Sequence, residues 1–95
     1  MDLEFAGPMF EWRGPAPYHF VWVPEDDAAE IQDVAAAITY GWGMIPVAVT
    51  IGATTWTTAL WPKDGSYVVP LKDKARNSEG ISLGDVVTVQ LRIDV

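Results

Sequence analysis

The hydrophobic positions of this chain follow two periods. Tyr18 to Val23 alternates, with Tyr18, Phe20 and Trp22 on one face and His19, Val21 and Val23 on the other, which predicts a strand. Pro24 stops it and suits the first turn of a helix, where its missing N–H costs nothing. Glu25, Asp26 and Asp27 then place negative charge where the helix dipole favours it. Ile31, Val34, Ala35 and Ile38 build one apolar stripe at helical spacing. A long helix is therefore predicted from Glu25 to Thr39, ending at Gly41.

Period two returns at Ile45 to Ile51, turns tightly at Gly52-Ala53 and continues through Thr54 to Trp61 as a hairpin. Lys63-Asp64-Gly65 is a second turn, and Ser66 to Val69 is a short strand stopped by Pro70. Leu71 to Ser78 gives a short helix, and Gly80 and Gly84 bracket a loop. In the last strand, Asp85 to Val95, the residues Val87, Val89, Leu91, Ile93 and Val95 share a face. At the other end, Leu3 to Trp12 alternates loosely, with a kink expected at Gly7-Pro8, before the turn Gly14-Pro15-Ala16-Pro17.

Aligned on Pro24 and Pro70, the chain writes the same unit twice: strand, proline, helix, glycine loop, strand. The pseudo-repeats run over about residues 18–52 and 66–95 of a single domain. Each alone leaves an apolar face uncovered, so the expectation is a mainly β fold with one long and one short helix, closing a small barrel. The second copy, with Val69-Pro70, Arg76 and Gly84-Asp85, resembles the swapped-hairpin module of AbrB- and MazE-type regulators. Over nearly the whole chain, FVWVPEDD, GWGMIPVAVTIGATTWTTALWP, GSYVVPLKDKAR and GISLGDVVTV resemble the bacterial domain-of-unknown-function family numbered 1905. That resemblance implies a double-split β-barrel built from two pseudo-repeats in one chain, found alone or beside domains associated with bacteriocin protection. It implies no activity.

The chain has 95 residues, enough for one modest core. Charge changes the picture of its partners. The formal net charge is −7, and all of it falls before Val49, where eight acids face Arg13 alone. So few cations argue against phosphate-backbone binding, and no nucleic-acid partner is expected. The uncharged run Ile38 to Pro62 has the length of a membrane span. Gly41, Gly43, Pro46 and Gly52 break it, so no membrane partner is expected. With no cysteine, and with Asp2 and Glu4 where a leader peptide needs basic residues, a cytoplasmic address is expected.

No catalytic, cofactor or metal motif stands out. His19 is the sole histidine, and the acids of the helix lack the glycine turn of a calcium loop. The catalytic, cofactor and metal assignments are therefore none. Among the five tryptophans, Trp22 is expected to fill the core, while Trp42, Trp56 and Trp61 read as core plugs or as rigid anchors of a pocket. Lys72, Lys74 and Arg76 are the densest basic group, and Arg76 stands where the family carries an arginine. The candidate site is a cleft formed by Trp42, Trp56, Trp61, Tyr67, Lys72 and Arg76, in a monomeric binding module for a small anionic molecule or a peptide. The rival readings are an AbrB-like nucleic-acid-binding regulator and, on His19 and the carboxylates alone, an enzyme.

Overall fold

A computed structural model describes residues 1–13, 17–38 and 43–94. The alternating runs become strands β1 (Asp2–Pro8), β2 (Phe10–Arg13), β3 (Pro17–Trp22), β4 (Ile45–Ile51), β5 (Thr54–Lys63), β6 (Ser66–Pro70) and β7 (Val86–Arg92). The two helices are α1 (Glu25–Ile38) and α2 (Asp73–Glu79). The strands pair antiparallel in the order β1-β7-β4-β5-β6-β3-β2.

In this order the strands that precede Pro24 and end at Pro70, β3 and β6, pair with each other, Val21 opposite Val69, and β4 and β7 pair with each other, Val49 opposite Leu91. β3 does not pair with β4, nor β6 with β7. β5 belongs to both halves of the sheet: Thr54 to Leu60 pairs with β4, and Trp61 to Lys63 pairs with β6.

The expected double-split barrel with one long helix is not what forms. The fold is a seven-strand curled antiparallel sheet, a half-barrel. α1 has 14 residues, within a turn of the mean of about 11–12 for globular proteins, and α2 has 7, so α1 is of ordinary length and α2 is short. The strands dominate because six of the seven, β2 to β7, carry β-branched or aromatic residues at alternate positions, while among its described side chains α1 buries a narrow stripe of Ala28 and Ile31. α2 starts at Asp73, two residues later than expected, because Leu71 is spent in the core and its N–H donates to the His19 carbonyl at 2.8 Å.

The kink in the first strand falls at Met9 rather than Gly7-Pro8. There the backbone N–H donates to the Asp85 carbonyl, and the Met9 carbonyl accepts from Gly84 N–H, both at 2.9 Å. Gly84, at φ 86°, provides the left-handed turn that brings this strand opening to Met9. The edge strands β1 and β2 are thus joined through one residue, which lets the curled sheet wrap its inner face around the core. Val21, Ile31, Ile45, Val49, Val69 and Val89 lie there, each 0% exposed. Burying Ile31 alone stabilises the fold by about 1.5–3 kcal/mol.

Trp22 is not part of this core. It is 37% exposed, because the residues that face inward here are Val21 on β3 and Val23 just after it. The helix end at Thr39, the Gly41 loop and most of the Gly14–Pro17 turn lie outside the described residues.

Candidate functional site: an aromatic shelf on the outer face

Where β2, β3, β5 and β6 meet, strand alternation gathers aromatic side chains on the face away from the core. Phe10 lies opposite Phe20 and Trp12 opposite Tyr18, while Trp22 and Trp61 both flank Val68. α1 packs against β6 and β4 and adds Ala28 and Ile31 to the core cluster, so it does not cover this outer face. The aromatic residues cover it instead. Phe20 and Val68 form a floor, 1% and 0% exposed, under Trp12, Tyr18 and Trp22, which are 45%, 44% and 37% exposed.

The rings hold one another in defined poses. Phe20 and Trp61 sit 5.1 Å apart at 60°, Tyr18 meets Trp61 edge-on at 5.3 Å, and Phe10 stacks on Trp22 at 5.5 Å and 18°. Such offset and edge-to-face pairs are the favoured arrangements of aromatic quadrupoles. The Lys63 ammonium lies 5.4 Å from the Trp12 ring centroid, within reach of a cation–π attraction. Trp12, Trp61, Lys63 and the floor enclose a small notch of about 180 Å³.

The residues singled out from sequence do not converge here. Of those that are described, Trp61 alone belongs to the shelf. Tyr67 pairs with Pro62, so it points to the opposite face, where it is buried in the core and desolvation pushes its phenol pKa up. Trp56 lies opposite Val49 and packs against the core, its indole N–H buried with no hydrogen-bond partner among the described residues. Lys72 is exposed at the N-terminus of α2. Arg76, on α2, forms an ion pair with Asp73, and Asp85 accepts instead from Ser82 N–H at 2.8 Å. Trp42 lies outside the described residues. Trp61 and Tyr67 therefore lie on opposite faces of the sheet and do not share one cleft.

Trp12, Tyr18, Trp22 and Lys63 were missed as site residues. Their signal was the alternation F-x-W at Phe10 and Trp12 followed by Y-x-F-x-W from Tyr18 to Trp22, two strands each spending aromatics on one face.

Chemically, the shelf offers flat π surfaces and one ammonium group. His19 lies elsewhere: it pairs with Glu11 across β2 and β3, facing away from the shelf, with Nε2 3.6 Å from a Glu11 oxygen. Arg13 Nε donates to the other oxygen at 3.2 Å, so the Glu11 carboxylate is shared between two cationic or potentially cationic partners. The arrangement suits stacking and apolar contact.

The sequence pattern of the family described as a domain of unknown function (DUF1905) matches residues 5–91. No curated protein matches the chain.

Proposed function

The chain belongs to that family, whose description assigns no activity, and we propose that it is a binding module whose aromatic shelf takes a short extended peptide segment. The observation that carries this reading is the open face of Trp12, Tyr18 and Trp22 above a floor that is already filled.

Size decides among occupants. With about 150–250 Å² for each large aromatic side chain, the exposures of Trp12, Tyr18 and Trp22 leave roughly 200–300 Å² of accessible ring surface. A stable folded partner covers about 800 Å² per side, so a second copy of this chain is poorly served, and the protein is expected to be a monomer. Small-molecule pockets hold about 300–1,000 Å³ and enclose most of their ligand; the notch beside Trp12 has about 180 Å³. A short extended segment fits between these limits. Proline-rich segments suit such a surface best, because aromatic grooves accept their preformed helix at low entropic cost.

The test is tryptophan emission during titration with a capped proline-rich octapeptide, in the wild type and in Trp12→Ala. The expected result is a saturable change that Trp12→Ala abolishes. Silence toward peptides, with a response to small aromatic carboxylates that requires Lys63, would overturn the peptide reading in favour of a small anionic ligand in the notch.

A further inference from the structure

The shelf continues at Trp22 into a second depression. A groove of about 530 Å³ runs between the start of α1 and the β5–β6 turn, lined by Trp22, Glu25, Ala29, Gln32, Asp64 and Ser66 among others. Two carboxylates border it, and among the described residues no lysine, arginine or histidine lines it. Lys63 is the neighbour of Asp64 in the chain, but its ammonium is engaged over Trp12.

Three features hold this charge in place. The turn is fixed by Asp64 at φ 51° and Gly65 at φ 77°, both left-handed as a two-residue hairpin turn requires. The Gln32 side-chain amide donates to the Gly65 carbonyl at 3.1 Å and ties α1 to that turn. The helix N-terminus contributes only about half a positive charge, against the three carboxylates Glu25, Asp26 and Asp27 of its first turn. The groove is therefore negative, and a half-exposed indole forms part of its wall.

We infer that the segment taken by the aromatic shelf is basic, with an arginine or lysine side chain lying against Trp22 and its cationic head between Glu25 and Asp64. Charge complementarity selects this occupant over a neutral or acidic segment. The alkyl stem of such a residue covers apolar surface while its head stays hydrated, and an indole face attracts the cation. The inference rests on the peptide reading above and adds the partner's chemistry to it.

The experiment uses three capped octapeptides with the same proline-rich body and arginine, glutamine or glutamate at one end, titrated calorimetrically into the whole chain. Arginine over glutamine should be favoured about tenfold in Kd, equivalent to about 1.4 kcal/mol, and the preference should shrink in about 0.5 M salt. The double variant Glu25→Gln with Asp64→Asn should erase the preference for arginine over glutamine. Asparagine tolerates the left-handed backbone at position 64, so a thermal melt close to wild type is expected and is checked alongside. Equal binding of all three peptides, still lost in Trp12→Ala, would overturn the basic partner and leave the peptide shelf standing. Absence of binding by all three would overturn both.

Discussion

The Trp61 and Phe20 rings meet at 5.1 Å across the intervening strand β6, closing over Val68, which has no exposed surface. Trp61 is thus part of a second, smaller apolar layer, whereas Trp12 at 45% exposure only borders it. The two tryptophans should separate in stability. Trp61→Ala should cost about 2–3 kcal/mol, somewhat less than the roughly 3–5 for a fully buried large aromatic. Trp12→Ala should cost under about 1 kcal/mol. Urea denaturation of both variants checks the difference; equal losses would mean that Trp12 is structural and not available to a ligand.

Gly52 and Glu79 are linked by proximity. A Cβ at position 52 would collide with a Glu79 carboxylate oxygen, and Gly52 has φ 58°. Glu79 accepts a 2.6 Å hydrogen bond from Thr54 Oγ1, fastening α2 to the β4–β5 turn. Gly52→Ala should therefore cost the left-handed strain of about 1–2 kcal/mol and also displace that carboxylate. In a Glu79→Ala background only the strain should remain. A double-mutant cycle measures the coupling, and strict additivity would show that the carboxylate moves aside without loss.

Arg76 pairs with Asp73 one turn back on α2, and the Asp73 side chain is 83% exposed. Such a pair contributes little, about 0.2–0.5 kcal/mol. The Arg76 Nε is buried with no hydrogen-bond partner among the described residues, so replacing the guanidinium breaks no hydrogen bond described at that atom. Arg76→Gln should change stability by under about 1 kcal/mol, read as a small shift of the melting temperature. A loss of several kcal/mol would show that the guanidinium has a buried partner.

Asp2 and Arg92 face each other across β1 and β7, Arg92 Nε donating to Asp2 at 3.0 Å. That hydrogen bond, with the Coulombic attraction of the guanidinium, holds the Asp2 carboxyl pKa below its ordinary range. The folded pKa is the lower one, so the interaction favours the folded state above the unfolded aspartate value of about 3.9. It is lost as pH falls through the folded value. An NMR carboxyl titration should place Asp2 below the ordinary aspartate range, and Arg92→Gln should return it there. An unchanged titration in Arg92→Gln would remove the pair as the cause.

Alternation in Tyr18–Val23, Ile45–Ile51 and Val87–Ile93 determined the strands, and the prolines at 24 and 70 determined where two of them end, because steric and hydrogen-bonding rules at those residues are local. The turn at Asp64-Gly65 even carried the register that pairs Lys63 with Ser66, hence Trp61 with Val68 and Pro62 with Tyr67. The family pattern was legible as well, over residues 5–91. Period two says which residues share a face, but not which face is covered, so the sequence could not assign Val21 to the core and Trp22 to the surface. That choice was made by α1 and the pairing of β3 with β6, contacts between segments more than forty residues apart. The aromatic shelf needed Trp12, Tyr18, Trp22 and Trp61 to arrive from three strands at one place. Only the curl of the whole sheet could bring them together, while it carried Tyr67 inward and left Arg76 on its own helix.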